Sequence, residues 1–324
     1  MLSYIVRRSL YAIPILIGVN LITFILFFVV NTPDDMARMH LGMKRVTPEA
    51  VEQWKQERGY DRPLVINSAA DGSDKFTETI FFQNTVKLFA FDFGRSDAGR
   101  DISFDITERM WPSLMLAVPS LIIGLLVNIT FALLVAFFRA SYIDVWGVIL
   151  CVVLMSISGM FYIIGGQFLL GKVLHLVPIS GFDMQNAFKF LVIPVIIGVI
   201  SGIGSGTRWY RTIFLEEMEK DYVRTARAKG LPETLVLFKH ILKNAMIPIL
   251  TGVVVVLPLL FMGSLITESF FGIPGLGSYT IDAINSQDFA IVRSMVFLGS
   301  VLYIVGLILT DISYTMVDPR IRLQ

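Results

Sequence analysis

Six long apolar runs constrain this chain more than any other feature of its sequence. A helix that crosses a bilayer needs about 20 mostly apolar residues. The runs that meet or approach this length are Leu10–Val30, Leu114–Phe138, Val145–Leu170, Phe190–Gly206, Ile247–Thr267 and Ile291–Met316. Only 16% of the residues are charged, against about 25% in soluble domains. The sequence therefore predicts an all-α membrane protein with about six transmembrane helices.

The first run is interpreted as a retained span rather than a signal peptide. Arg7 and Arg8 precede it, but a signal core has only about 7–15 apolar residues and ends at a small-residue cleavage site. The run Leu10–Val30 is longer, and no such site follows it. We therefore expect this run to cross the membrane.

Lysine and arginine are unevenly distributed among the short loops, and their distribution predicts the orientation. Short cytoplasmic loops carry an excess of these residues. With the N-terminus inside, the basic segments on the same side are 1–9, 139–144, 207–246 and 317–324. The short outside segments, 171–189 and 268–290, contain only two lysine or arginine residues, Lys172 and Lys189. We therefore predict a multi-pass protein with both termini in the cytoplasm.

Three regions follow from this arrangement. Residues 1–30 hold the N-terminal tip and the first span, residues 31–113 form an extracytoplasmic loop domain, and residues 114–324 form a core with five transmembrane helices and a cytoplasmic loop. In the outer loop, Thr47 followed by Pro48 is a helix-start signal. We therefore expect a small extracytoplasmic helical insertion.

The cytoplasmic loop, residues 208–246, has the pattern of two amphipathic helices joined by a sharp turn. Its apolar residues recur at helical spacing in two sets: Ile213, Phe214, Met218, Tyr222 and Val223, then Leu235, Phe238, Ile241 and Leu242. Lys229-Gly230-Leu231-Pro232 lies between the sets; glycine suits a helix end, and proline suits the start of the next helix. Binding to lipid usually requires large apolar anchors. Thr225, Ala226 and Ala228 are small, which favours docking of a partner protein.

The residues Asp221–Leu231, read DYVRTARAKGL, resemble the coupling loop of permeases of binding-protein-dependent ABC importers, most closely the dipeptide, oligopeptide and nickel branch. Phe91–Ser96, Glu268–Gly277 and Asp318–Arg322 are similar to three further segments of that branch. His240, Asn244, Ala245 and Pro248 also fit its pattern. The glutamate that names the coupling loop in the superfamily is absent, and Arg224 stands near its place.

The resemblance implies a type I ABC importer permease fold and, from the large outer loop, the first of two permease subunit types. The chain would pair with a second homologous permease, two ATPase subunits of the same or different kind, and an external substrate-binding protein, in a bacterial or archaeal inner membrane. ATP and magnesium would be bound by the ATPases, with no cofactor in this chain. The implied solutes are di- or oligopeptides first, then nickel chelates or other modified small molecules.

The resemblance also assigns two sets of candidate site residues. The implied ATPase-coupling residues are Asp221, Tyr222, Arg224, Thr225, Ala226, Arg227, Ala228, Lys229, Gly230 and Leu231. The implied gate or pore-loop residues are Glu268, Phe271, Pro274, Gly275 and Gly277. Non-helical backbone at membrane depth must line a cavity or be buried in protein. The second set could therefore form a gate or, alternatively, have only a packing role.

Patterns for catalysis are incomplete. Gly166–Val173 nearly matches a phosphate-binding loop but lacks its final hydroxyl residue and a strand before it. Ser205 lacks the flanking glycines of a nucleophile elbow, and no H-E-x-x-H zinc motif occurs. A net charge of +1 gives no field that favours nucleic acid. We therefore expect no catalytic, cofactor-binding or metal-binding residue, and no enzyme activity in this chain.

An ion-coupled secondary transporter or a channel subunit is the alternative function. Such a carrier should place ionisable side chains in the middle of its spans. Ionisable side chains are scarce in the spans of this chain, and Asp311 is the main exception. We expect Asp311 to reach the membrane–water interface or to pair with Arg320. The glycines Gly198, Gly202 and Gly206 form a small-residue stripe, which predicts close helix packing or a hinge.

Overall fold

The computed structural model describes residues 2–42, 46–68, 70–175 and 178–317, and within these ranges it contains helices and no β-strand. Its α-helices, in chain order, are α1 (Leu2–Phe24), α2 (Pro33–Leu41), α3 (Pro48–Arg58), α4 (Asp74–Thr77), α5 (Ile102–Phe137), α6 (Tyr142–Ser156), α7 (Gly159–Gly166), α8 (Ala187–Met218), α9 (Asp221–Ala228), α10 (Glu233–Leu235), α11 (Lys243–Val256), α12 (Leu265–Phe271), α13 (Leu276–Ser286) and α14 (Phe289–Val317). The π-helical segments are Ile25–Val30, Phe82–Val86, Gln167–Val173 and Val236–Leu242, and the 3-10 segments are Lys87–Ala90, Met184–Asn186 and Pro258–Met262.

The prediction of an all-α protein with about six spans is confirmed. Five helical segments are long and apolar enough to cross a membrane: Leu10–Val30, Ile102–Phe137, Met184–Met218, Glu233–Met262 and Phe289–Ser313. The helices α6 and α7 with its π-helical extension make a sixth span if the bent pair is counted as one.

The third span is bent by 86°, whereas the sequence predicted one continuous helix over Val145–Leu170. The helix stops because Ile157 and Ser158 both adopt extended backbone conformations. No proline lies at this break. The apolar run is continuous across it, so hydropathy alone could not reveal the bend.

Three other spans differ in their limits from the prediction. Helix α5 begins at Ile102, twelve residues before Leu114, and α8 continues to Met218, beyond Gly206. The fifth span ends at Met262, before Thr267, because Gly263 leaves the helical region with φ +69°. Helices can extend past the hydrocarbon core where their sequence becomes polar, and the apolar count does not detect those turns.

Contacts divide the chain into two compact units. One comprises the residues up to Arg109 together with Tyr279–Ile308, and the other comprises Met110–Ser278 together with the described residues from Leu309 onward. The predicted boundaries at residues 30 and 113 were drawn from spans and loops, and that division of the chain remains a prediction.

The first unit contains the helical insertion, which packs around aromatic side chains. Its buried core is formed by Phe24, Phe28, Met36, Ala37, Val51, Trp54, Tyr60 and Ile80. The Thr47 side chain accepts a hydrogen bond from the Ala50 amide and caps α3, with Pro48 in the first turn, as predicted. Thr32 and Asp35 form a capping box at α2, which was not predicted.

The second unit has two clusters of buried side chains. One surrounds Phe214 and Ile241, and the other surrounds Ile193 and Phe271. Many large apolar side chains on α6, such as Trp146 and Val153, are exposed, as expected for residues that face lipid.

Glycine brings α8 close to its neighbours in the second unit. A methyl group at Gly204 would lie 2.5 Å from the Cys151 carbonyl oxygen, and one at Gly206 would lie 2.6 Å from the Asn128 amide nitrogen. Gly202 has no neighbour within 4 Å. Of the glycines in the predicted stripe, Gly206 therefore packs closely against a neighbouring helix. The close approach of α8 to α6 occurs at Gly204, which is not part of the predicted stripe.

Candidate functional site

The 208–246 segment forms the predicted helix, sharp turn and helix. Helix α9 ends at Ala228, and Gly230 follows with φ +74°. The Gly230 amide donates to the Arg227 carbonyl at 2.9 Å, and the Leu231 amide donates to the Ala226 carbonyl at 3.4 Å. This pair of hydrogen bonds is a Schellman motif, which requires a left-handed residue after the helix. We call residues 221–232 the corner.

The corner has an inner and an outer face. Val223 and Ala226 are buried among the side chains of the second unit. Among the predicted coupling residues other than Ala226, those with exposed side chains or surfaces are Asp221, Arg224, Thr225, Arg227, Ala228, Lys229 and Gly230. Tyr222 and Leu231 are half-buried and pack against the same cluster. Ala226 therefore supports the corner from inside, and the small residues on its outer face are Thr225, Ala228 and Gly230.

The second predicted amphipathic set is partly wrong. Leu235 and Phe238 are exposed, while Val236, Leu237 and Ile241 are buried. The cause is the π-helical backbone over Val236–Leu242, which is wound more loosely than an α-helix. A count at 3.6 residues per turn therefore placed Leu235 and Phe238 wrongly, whereas Ile241 and Leu242 do pack in the core cluster.

Tyr222 connects the corner to the helices on both sides of it. Its hydroxyl donates a hydrogen bond to the Glu217 carboxylate at the end of α8 and also contacts the Asn244 side chain of α11. Burial, followed by the hydrogen bond to Glu217, raises the pKa of Tyr222 to about 12. Lys220 donates to the same carboxylate at 2.7 Å. Glu217 is itself buried, and this role was missed because nothing in its local sequence distinguishes it.

Two arginines make further connections in the same unit. Arg227 forms a two-pronged ion pair with Glu233 across the corner, at 2.8 and 3.2 Å. Arg211 of α8 donates through Nε and Nη2 to one oxygen of Asp144 at the start of α6, at 3.1 and 2.7 Å. Arg211 and Asp144 are 67 residues apart, so their pairing gave no sequence signal.

A polar cavity of about 610 Å³ lies beside the corner. Its charged lining residues are Arg139, Glu219, Arg224, Arg227 and Glu233. The Arg139 guanidinium lies 3.4 Å from the Glu219 carboxylate. The corner thus combines small exposed residues with a charged recess of both signs, which is suited to contact with another protein.

The second candidate segment, residues 263–278, forms a buried structure around the Glu268 carboxylate; we call it the Glu268 loop. Glu268 is 0% exposed. Its Oε1 accepts from the Ser264 amide at 3.0 Å, and its Oε2 accepts from the Ser278 amide at 3.1 Å. The Ser113 hydroxyl and the Gly277 amide also donate to it.

Burial raises the pKa of Glu268, and these donors partly offset that effect. Gly277 and Ser278 lie in the first turn of α13, so the carboxylate sits at the positive end of that helix. The Leu276 amide donates to the Ser113 hydroxyl at 2.8 Å. The carboxylate therefore joins α12, α13 and α5.

Glycines leave room for this carboxylate. A side-chain carbon added at Gly263, Gly275 or Gly277 would overlap the Glu268 oxygens. Gly275 and Gly277 do not have positive φ values, so space and not backbone conformation requires glycine at these two positions.

The predicted gate residues differ in their surroundings. Glu268, Phe271, Gly275 and Gly277 are buried, and Pro274 is exposed. The Phe271 carbonyl accepts from the Gly181 amide at 2.7 Å, which fixes the end of α12 further. This geometry fits a rigid packed loop, with Pro274 as the one gate candidate in the set that is open to contact.

Two sequence expectations fall on the C-terminal segment. Asp318–Arg322, which carries part of the resemblance, and Arg320, the expected partner of Asp311, lie outside the described residues. The expected pairing of Asp311 with Arg320 therefore stays a prediction.

Comparisons with known proteins cover the whole chain. Residues 113–323 match the family described as "Binding-protein-dependent transport system inner membrane component", and residues 1–122 match "Binding-prot-dependent transport system membrane comp, N-term". Similar proteins include an oligopeptide transport system permease protein of Bacillus subtilis (29% identical, covering 99% of this chain and 100% of the relative). A glutathione transport system permease protein of Salmonella paratyphi A is 29% identical (99% and 99%), and a dipeptide transport system permease protein of Alkalihalophilus pseudofirmus is 26% identical (99% and 100%).

Proposed function

The chain belongs to the family of binding-protein-dependent transport system inner membrane components, and from this premise we propose that its corner docks on an ATPase subunit. The chain is a membrane-spanning permease subunit of an ABC importer and not the subunit that hydrolyses ATP. We further propose that the solute is a di- or oligopeptide, because the relatives are named for oligopeptide, dipeptide and glutathione transport.

One observation carries the docking proposal: the two faces of the corner differ. Arg224, Ala228 and Lys229 are exposed, whereas Val223 and Ala226 are 0% and 4% exposed and belong to the core of the second unit. A partner that grips the outer face would therefore move the inner face with it, since packed cores transmit displacement and do not deform continuously.

The motion would reach two spans through Tyr222. Its hydroxyl contacts Glu217 on α8 and Asn244 on α11. In this proposal, closure of the ATPases around ATP and magnesium displaces the corner, and α8 and α11 rotate together. The importer would then alternate between inward-facing and outward-facing states, which requires different contacts at the corner in each state.

We propose the remaining parts of the assembly on the basis of the family. A second homologous permease, two ATPase subunits and an external binding protein complete the importer, in an inner membrane with both termini of this chain in the cytoplasm. The 31–113 region faces the outside in this arrangement. The Glu268 loop holds the ends of α12 and α13 rigid, and Pro274 is the residue we expect to approach the solute path.

Co-purification tests the docking proposal. We expect Ala228→Glu to reduce the amount of co-expressed ATPase that purifies with the tagged chain by at least about tenfold, because it places a charge on the outer face. Ala98→Glu, the same change at an exposed alanine in the 31–113 region, is the matched control. Ala226 is unsuitable for this test because its substitution would disrupt the core.

The thermal unfolding of both variants in detergent must match that of the unmodified chain, since an unfolded variant would also fail to bind. Full retention of the ATPase by folded Ala228→Glu would contradict docking at the corner. Solute flux by the purified chain alone, driven by an ion gradient without ATP, would instead support the secondary-transporter alternative.

A further inference from the structure

A second cavity, of about 670 Å³, lies within the first unit, where the end of α3, the loop over residues 92–99 and the start of α14 meet. Small-molecule sites commonly have volumes of about 300–1,000 Å³. Five cationic side chains and three carboxylates line this cavity. The cations are Arg58, Arg62, Lys87, Arg95 and Arg293. The wall therefore carries an excess of positive charge.

Arg293 is the buried cation of this wall. It is 6% exposed, its Nη2 donates to the Asn84 side-chain oxygen at 2.9 Å, and its guanidinium lies 4.8 Å from the centre of the Phe28 ring. Its Nε and Nη1 are buried and have no hydrogen-bond partner among the described residues. A buried donor without an acceptor costs about 1–3 kcal/mol and more when charged. This arrangement points to a missing acceptor.

The other cations are also available to an anion. Arg58 is paired with Asp97 at 2.8 Å, but Arg62, Lys87 and Arg95 form no ion pair with a described residue. The two remaining carboxylates do not neutralise them: Asp92 accepts from the Gly94 amide at 3.2 Å, and Glu57 lies 3.8 Å from Arg58. An anion in the cavity would therefore meet several cations that have no competing partner.

We propose that this cavity binds a carboxylate of the transported solute, with Arg293 as its buried anchor. The planar guanidinium of Arg293 offers donors at Nε and Nη1, and guanidinium groups suit a carboxylate. The Asn84 and Gln83 amides in the wall already donate to the Ile80 and Thr77 carbonyls, and each retains a second N–H for a bound anion. This inference rests on the proposed function, because a peptide carries a terminal carboxylate. A phosphate, free or in a lipid headgroup, shares the chemistry, and the test separates these sources.

Calorimetric titration of the full chain in phosphatidylcholine nanodiscs tests the inference, with trialanine and trialanine amide as probes. The two probes differ in the terminal carboxylate alone. We expect saturable binding of trialanine and at least about tenfold weaker binding of the amide, since a charge-assisted pair is lost. Inorganic phosphate and nanodiscs that contain phosphatidylglycerol serve as competitors.

Three variants locate the site. We expect Arg293→Gln to weaken trialanine binding at least about tenfold and Lys87→Gln to weaken it less, because Lys87 is partly exposed. Lys75→Gln, which removes an exposed cation outside the cavity, should leave binding unchanged. If Arg293→Gln does not fold, Lys87→Gln and the amide probe still decide the matter.

Equal binding of trialanine and its amide would overturn the inference, as would unchanged binding by folded Arg293→Gln. Binding of phosphate but not trialanine, or loss of trialanine binding in phosphatidylglycerol, would assign the cavity to phosphate groups and overturn the solute assignment. None of these results affects the co-purification test. If the chain retains its ATPase but fails the trialanine test, the carboxylate site is rejected while docking at the corner still stands.

Discussion

The corner and the Glu268 loop lie at opposite ends of the fifth span in sequence, and both require glycine, but for different reasons. Gly230 of the corner has φ +74° and nothing within 4 Å of its missing side chain. Gly275 and Gly277 of the Glu268 loop face a carboxylate that fills the space a side chain would need. Glycine provides conformation in the first region and room in the second.

This difference matches the exposure of the two regions. The corner directs Arg224, Ala228 and Lys229 outward, as a docking surface requires. The Glu268 loop buries all of its predicted gate residues except Pro274. Substitutions should therefore affect partner binding in the corner and folding in the Glu268 loop.

The largest effect is expected for Gly277→Ala. The new methyl group would overlap the Glu268 carboxylate and the Ser264 backbone, and overpacking of this kind costs about 1–3 kcal/mol or more. We expect a clear fall in the thermal unfolding temperature in detergent. Gly252→Ala is the control, because Gly252 has nothing within 4 Å; an equal loss of stability in both variants would contradict the steric explanation.

Glu268→Gln should also destabilise the second unit. The amide group of glutamine would place N–H donors against the Ser264 or Ser278 amide, which costs about 1–3 kcal/mol. Unfolding by denaturant, compared between this variant and the unmodified chain, measures the loss. Equal stability would show that the carboxylate does not hold the loop.

The effect of Glu268→Gln should depend on pH. Burial raises the folded-state pKa of Glu268 above its ordinary value of 4.5, so the folded chain binds this proton more tightly than the unfolded chain. The corresponding stability is present below the ordinary pKa and is lost as the pH rises through the folded-state value. The difference in free energy of unfolding between the unmodified chain and the variant should therefore decrease as the pH rises. An increase in this difference with pH would contradict the prediction.

Gly230→Val is expected to have a smaller effect on stability. A β-branched residue in the left-handed region costs about 1–2 kcal/mol, whereas Gly230→Asn should cost less because asparagine tolerates that region. The order of unfolding temperatures should be Gly, Asn, Val. Equal losses in the two variants, whose side chains are similar in size, would indicate that space, not conformation, requires glycine here.

Tyr222→Phe should lower the free energy of unfolding by about 1.5 kcal/mol, the lower limit for a hydrogen bond to a charged group, because Lys220 still donates to Glu217. It should also reduce coupling. The variant loses the contacts to Glu217 and Asn244 that join the corner to two helices. We expect fewer solute molecules transported per ATP hydrolysed in proteoliposomes of the assembled importer. Tyr303→Phe, at an exposed tyrosine of α14, should leave this ratio unchanged, and an unchanged ratio in Tyr222→Phe would remove this tyrosine from the mechanism.

The smallest effect is expected for Arg227→Gln. Arg227 and Glu233 are 42% and 53% exposed in their side chains, and exposed ion pairs contribute about 0–1 kcal/mol. The unfolding temperature should hardly change. A fall in unfolding temperature as large as that of Gly230→Val would show that the ion pair, rather than the Schellman turn, stabilises the corner.

The sequence predicted the features that local chemistry determines. Apolar length located the spans, Thr47 and Pro48 located the start of α3, and the glycine and proline of Lys229–Pro232 located the corner. Each of these signals acts within a few residues, so no knowledge of the packing was needed.

The remaining features depend on distant or irregular contacts. The predicted apolar face was wrong at Leu235 and Phe238 because the π-helix over Val236–Leu242 does not follow the α-helical period. The surroundings of Glu268 require Ser113, which is 155 residues earlier in the chain. Arg293 was missed because it lies within a strongly apolar run, where average hydropathy hides a single charge.

Accessibility of the corner tests the central claim most directly. The chain has one cysteine, Cys151, which is buried, so a Lys229→Cys variant offers a single accessible thiol. We predict that a membrane-impermeant maleimide labels it in inside-out vesicles, does not label it in right-side-out vesicles, and is blocked when the ATPase subunits are bound. Labelling from the outside, or undiminished labelling in the assembled importer, would contradict the account.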